Sequence, residues 1–184
     1  MNGRLNAASD CSRRLFLGAG LVVAGGLISP AARAARVEPR RLSFYNTHTG
    51  EKLSATYWED GAYVPGALTL INYILRDFIS HTELPIDRRL LDLLAALHCK
   101  LDSREPFQII SGYRSPATNA WLYAHTDGVD KNSFHMKGMA IDIRLRDVPL
   151  RDLRRGAIKL GYGGVGIYPA SNFVHVDTGP MRYW

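Results

Sequence analysis

The chain has 184 residues, 46% apolar and 22% charged, which is one domain's worth of sequence and enough to bury a real core. Lys and Arg number 23 against 17 Asp and Glu, a net charge of +6, and the excess is spread without blocks of like charge. No internal repeat or low-complexity tract is present, which excludes solenoid and linker architectures.

The first 34 residues read as an export signal. Arg13 and Arg14 precede a moderately apolar, glycine-containing run over 15–28, and no acidic residue follows them until Glu38. That run is too short to cross a bilayer as a stable helix, which argues against an uncleaved anchor. Pro30 and then Ala32-Arg33-Ala34 supply a helix stop and a small-x-small cleavage signal. Paired arginines before a weakly apolar core mark the twin-arginine route. Residues 1–34 are therefore expected to be a signal peptide and 35–184 the mature domain. The expected location is the periplasm, with the twin-arginine (Tat) translocon as partner during export and no stable membrane anchor after cleavage. Loss of four arginines and one aspartate lowers the net charge from +6 to +3. An exported domain meets no nucleic acid, and a mildly basic surface suits an anionic cell-wall polymer.

The mature part alternates strand and helix signals. Residues 41–46 and 53–58, rich in aromatic and hydroxyl side chains with Thr49-Gly50 between them, predict a β-hairpin. Pro65-Gly66 opens a helical stripe of Leu68, Ile71, Leu75, Phe78 and Ile79 that runs to Ser80. Pro85 and Asp87 start a second helix over 88–101, with Leu90, Leu94, Leu97 and Leu101 on one face. A short strand over 107–110 ends at Ser111-Gly112, and Pro116 begins a helix to His125. Residues 126–134 read as a loop, 140–145 as a strand, and 149–160 as a helix. A glycine-rich turn leads to closing strands over 165–168 and 173–177. The pattern predicts an α+β domain.

Chemistry concentrates near the end of the chain. His135 closes the 126–134 loop, Asp142 lies on the strand it feeds, and Gly138 permits a tight approach between them. On the last strand the period of two puts His175 and Asp177 on one face and Val174 and Val176 on the other. Two imidazoles and one carboxylate form a zinc ligand set with a fourth tetrahedral position open, the mark of a catalytic rather than a structural site. Water at such a site ionises near neutral pH. This reading predicts a metal-dependent hydrolase with one zinc ion per chain. His48, His81, His98 and His125 lack such neighbours and read as surface or structural residues.

Ser133-x-His135-x(6)-Asp142 followed by His175-x-Asp177, with Gly112-Tyr113-Arg114-Ser115-Pro116 upstream, resembles the M15 group of zinc peptidases. These share a fold with the D-Ala-D-Ala dipeptidases and the hedgehog signalling domain. Val174 to Gly179 and Arg182-Tyr183-Trp184 are most similar to the murein endopeptidase K subfamily. The resemblance spans the mature chain. It implies a single domain in which an antiparallel sheet packs with helices and carries a zinc cleft held by His135, Asp142 and His175.

The resemblance also implies peptidoglycan stem peptides as substrate, cut at amide bonds of peptide cross-links during cell-wall remodelling. Arg114 is expected to stabilise the oxyanion. Tyr113 and Ser133 are candidate substrate contacts, Ser133 being equally suited to capping its turn. Many members place a glutamate or histidine three residues before the last ligand, where this chain has Asn172. Asp177 is then the nearest candidate base, or else a residue that fixes the tautomer of a ligand histidine. A D,D- or L,D-carboxypeptidase and a non-catalytic, zinc-stabilised wall-binding module are the competing readings.

Overall fold

Residues rich in aromatic and hydroxyl side chains form the first two strands, as their sequence predicts. In the computed structural model, which describes residues 38–184, Arg40–Asn46 (β1) and Lys52–Glu59 (β2) pair as an antiparallel hairpin. The expected signal peptide lies outside the described residues. A two-residue strand, Ala62–Tyr63 (β3), adds to the edge of β2; it is too short to leave a period in the sequence.

Pro65–Ile74 (α1) begins at its proline but stops well short of Ser80. The cause is Asp77, whose carboxylate accepts hydrogen bonds from the amides of Ile79 at 2.9 Å, Ser80 at 3.3 Å and Ser115 at 2.8 Å. A side chain that satisfies nearby amides competes with helix continuation. Arg88–Leu101 (α2) has the expected limits, with Asp87 accepting from the Arg89 amide at 2.9 Å as the N-cap.

There follow Phe107–Ser111 (β4), Pro116–His125 (α3), a 3-10 turn at Phe134–Lys137, Ala140–Arg144 (β5), Leu150–Leu160 (α4), Val165–Tyr168 (β6) and Phe173–Asp177 (β7).

The seven strands form one sheet in the order β3-β2-β1-β4-β5-β7-β6. Every neighbouring pair is antiparallel except β1 and β4, which run parallel. The sheet is therefore mixed rather than wholly antiparallel. Between β1 and β4 lie β2, β3, α1 and α2, a crossover long enough to return the chain in its starting direction.

Helices α2 and α4 pack together and against the sheet, while α1 covers β2. Leu90, Leu94 and Leu97 of α2 meet Phe44, Ile141, Ile143, Val174 and Val176 in a single core. Each such side chain stabilises the fold by about 1.5–3 kcal/mol through burial. Because Ile141, Val174 and Val176 point into this core, Asp142, His175 and Asp177 are turned to the other face. Among the described residues no helix is long and apolar enough to cross a membrane.

Candidate metal centre

Register across three adjacent strands builds the floor of the site. Ser111 on β4 lies opposite Asp142 on β5, and Asp142 lies opposite His175 on β7. The irregular register between Ile109 and Ser111 marks a bulge in β4 beside this row.

His135 comes from outside the sheet, on the 3-10 turn. Ser133 caps that turn, its Oγ accepting from the His135 amide at 3.3 Å. Gly138 ends it with φ +64°, and a Cβ there would sit 2.7 Å from the Pro85 carbonyl oxygen. Only glycine combines that backbone conformation with so close an approach.

The outer nitrogen of each imidazole is committed, and this sets the inner one. His135 Nδ1 lies 2.7 Å from the Gly112 carbonyl oxygen. A carbonyl only accepts, so Nδ1 carries the hydrogen and Nε2 presents a lone pair. His175 Nε2 lies 3.1 Å from Asp177 Oδ2, so Nε2 donates and Nδ1 presents its lone pair.

Three acceptors consequently converge. His135 Nε2 to His175 Nδ1 is 3.2 Å, His175 Nδ1 to Asp142 Oδ1 is 2.8 Å, and His135 Nε2 to Asp142 Oδ1 is 3.4 Å. Around a tetrahedral ion with bonds of about 2.0–2.2 Å, ligand atoms stand about 3.3–3.6 Å apart. The triangle is close to that size, and the three residues form a group that could hold a metal ion.

All three side chains are buried, so positive charge has to stand among the converging atoms, either a metal ion or a proton on His175 shared with Asp142. Burial opposes charge on His175, yet its hydrogen bonds to Asp142 and Asp177 push its pKa up to about 9. Burial holds His135 below its ordinary value. Burial also opposes the charge of Asp142, but the two histidines keep its carboxyl well below the usual range.

Arg114 stands at the edge of this group. Its Nη2 lies 3.8 Å from Asp142 Oδ2 and donates to Ser111 Oγ at 3.3 Å, while Nη1 donates to Asn119 Oδ1 at 3.1 Å. The buried Asn119 in turn donates to the carbonyls of Asp130 and Lys131, which ties the guanidinium to the loop that carries His135. A guanidinium has five donors; two of them make these hydrogen bonds, and Arg114 lines the cleft over the site.

Asp177 sits behind His175 rather than beside the converging atoms, and it is fully buried. Oδ1 accepts from the amides of Gly164 at 3.0 Å and Gly179 at 2.8 Å; Oδ2 accepts from His175 and from Arg182 at 2.8 Å. Burial opposes its charge, but His175 and the amides of Gly164 and Gly179 lower its pKa to about 2. Both oxygens of Asp177 are thus occupied by donors, on the side of His175 away from the converging atoms. Asn172 is exposed and lines a separate groove with Gln108 and Arg144, so this position does not face the converging atoms.

A cleft of about 540 Å³ opens over the site, lined by Tyr113, Arg114, Ser133, His135, Asp142 and His175 among others. The Tyr113 ring also packs against the core, and its amide donates to the Leu75 carbonyl at 2.7 Å.

Sequence reasoning missed part of this wall. His48 lines the cleft with its ring stacked on Phe78 at 4.0 Å and Nε2 2.9 Å from the Ile110 carbonyl. Only the parallel β1–β4 pairing brings it there. Tyr168, Phe173 and Trp184 form an aromatic wall, the Trp184 ring 5.4 Å from that of His175. No local spacing connects these positions.

Comparison with known proteins agrees with the geometry. The model of the Peptidase M15_2 family, described as peptidoglycan L,D-endopeptidase MepK, matches residues 34–184. The chain is 41% identical over 178 residues to the peptidoglycan L,D-endopeptidase MepK of Escherichia coli K12, covering 95% of this chain and 98% of the relative. It is 39% identical over 179 residues to the probable peptidoglycan L,D-endopeptidase MepK of Haemophilus influenzae, covering 95% and 96%. The chain belongs to the Peptidase M15_2 family and is a peptidase.

Proposed function

We propose that this protein is a zinc-dependent peptidoglycan endopeptidase that hydrolyses an L,D-amide bond in peptide cross-links. The observation that carries the reading is the triangle of His135 Nε2, His175 Nδ1 and Asp142 Oδ1, with edges of 2.8 to 3.4 Å. Two neutral nitrogens and one carboxylate oxygen suit zinc and leave room for a further ligand. Zinc held there supplies a Lewis acid for the scissile carbonyl and lowers the pKa of water.

The chain's own residues do the rest. Asp177 and the Gly112 carbonyl orient the two imidazoles. Arg114 offers N–H donors where negative charge develops on the carbonyl oxygen, and its anchors on Asn119 and Ser111 mean little reorganisation is required. Tyr113 and Ser133 line the cleft beside the site and are positioned to contact the stem peptide. The names of the relatives support an L,D bond, which favours the endopeptidase over a D,D-carboxypeptidase. Periplasmic action after twin-arginine export and removal of residues 1–34 completes the reading.

The test is turnover of intact murein sacculi by the purified mature chain, with mass spectrometry of the products. The reading expects released muropeptides cut at an L,D cross-link, abolished by a chelator and restored by zinc. His135→Ala, Asp142→Ala and His175→Ala should each lose stoichiometric zinc and turnover. Tight sacculus binding without turnover would favour the wall-binding module instead.

A further inference from the structure

We propose that Arg182 is a positioning residue of the metal centre, holding His175 in its working orientation through Asp177. The inference rests on the reading of His135, Asp142 and His175 as metal ligands.

Arg182 grips the carboxylate with both arms. Nη2 lies 2.8 Å from Asp177 Oδ2, and Nη1 donates to Oδ1 at 3.3 Å. A two-armed guanidinium–carboxylate pair fixes the carboxylate plane as well as its charge, which an ammonium does not. Gly164 and Gly179 both bind Oδ1. Oδ2, the atom that receives the His175 Nε2 hydrogen, therefore has Arg182 as its other partner. Without the fork, Oδ2 keeps only His175, and the carboxylate plane rests on the two glycine amides at Oδ1 alone.

Arg182 is itself held in place. Its guanidinium carbon lies 5.0 Å from the centre of the Phe134 ring and 5.2 Å from that of Trp184. Phe134 directly precedes His135, and Trp184 stands against His175. One cation thus touches rings next to both histidines.

The segment that carries Arg182 is hydrogen-bonded along β6. The Val165 amide donates to the Arg182 carbonyl at 2.8 Å and the Ile167 amide to the Trp184 carbonyl at 3.1 Å. Trp184 reaches the site only because Gly166 has no side chain, for a Cβ there would meet its indole. The indole N–H donates to the Tyr168 hydroxyl at 2.8 Å.

The test uses Co²⁺ alone as the probe on the full mature chain. Its dissociation constant and the visible absorption of the loaded protein are measured for wild type, Arg182→Met, Arg182→Lys and, as a control in the same segment, Tyr183→Ala. Arg182→Met should weaken Co²⁺ binding about 10- to 100-fold and shift the visible bands, the scale expected when a ligand histidine loses its fixed partner. Arg182→Lys should recover part of that loss, and Tyr183→Ala should match wild type.

A purely structural role would lower the melting temperature while leaving the affinity and the spectrum of the folded protein at wild-type values, and that result in Arg182→Met overturns the proposal. If Arg182→Met does not fold, Arg182→Lys decides on the same two readouts. Failure of wild type to bind one Co²⁺ would instead sink the metal reading on which this one stands.

Discussion

His175 and Asp177, two positions apart on one strand, share a hydrogen bond of 3.1 Å on the side of the imidazole that faces away from Asp142. We propose that Asp177, which sequence offers as a base or as an orienting partner of a ligand histidine, takes the second role. In Asp177→Asn, either rotamer sets an amide NH₂ against existing donors: the glycine amides at one oxygen, or His175 and Arg182 at the other. Zinc affinity should fall about 10- to 100-fold, and turnover should recover at saturating zinc. Turnover measured against zinc concentration checks this. A loss of a hundredfold or more that zinc does not restore would return Asp177 to the role of base.

How much of this was legible follows from where the information resides. The limits of α2 were readable because Asp87 and the leucine stripe are local signals. The pairing of His175 with Asp177 was readable because strand period is local too. The end of α1 was not, since Asp77 binds the amides of Ile79 and Ser80 with one oxygen while its other is held by the Ser115 amide 38 positions on. The distinction between base and holder for Asp177 was equally hidden. It turns on Arg182, Gly164 and Gly179, which the turn before β6 and the segment after β7 bring to one carboxylate. His48 entered the cleft through a parallel strand pair that no hydrophobic pattern announces.

Export is tested apart from chemistry. Lys-Lys in place of Arg13-Arg14 should leave an uncleaved cytoplasmic precursor, detected by fractionation and by the intact mass of the protein. Mature protein of unchanged amount in the periplasm of a strain lacking the twin-arginine translocon would refute the assignment.

Arg114 is tied to Ser111 and Asn119 at one end of the cleft. Removing a donor to a developing oxyanion costs about 10²- to 10³-fold in kcat. Arg114→Met should show a loss of that size with zinc content unchanged and KM altered far less. Arg114→Lys should recover little, because an ammonium cannot reproduce the fork to Asn119 and Ser111. A loss confined to KM would make Arg114 a substrate clamp instead.

Asp77 gives a prediction in pH. Burial opposes its charge, but donors including Thr118, Ser115 and Ile79 hold its carboxyl well below the ordinary range. A depressed folded value means the stabilisation is fully present above the unfolded pKa of about 3.9 and is lost as pH falls through the lower folded value. Asp77→Asn replaces an acceptor with an NH₂ and should cost about 1–3 kcal/mol at pH 7. Urea unfolding should show that gap closing as the pH is taken below the unfolded value and down toward the folded one, because over that range the unfolded wild-type side chain binds a proton that the folded one does not. A gap that stays constant to the most acid pH would show that the carboxylate's charge contributes nothing.

Asn172 marks the position where related enzymes carry an acid/base group, and restoring a glutamate there looks like an obvious repair. The geometry argues against it. Asn172 is in the β6–β7 turn with φ +55°, its amide donating to the Pro169 carbonyl at 3.2 Å. It is exposed and lines the groove of Gln108 and Arg144, while its neighbour Phe173 faces the cleft. Asparagine tolerates left-handed backbone because its short side chain bonds locally, and glutamate loses that advantage at a cost of about 1–2 kcal/mol. Asn172→Glu should therefore lower the melting temperature and leave kcat no higher than wild type. Steady-state turnover on sacculi and a thermal melt of the same sample check both halves. A rise in kcat would require the turn to swing the new carboxylate past Phe173, and an unchanged melting temperature would mean the left-handed conformation costs glutamate nothing.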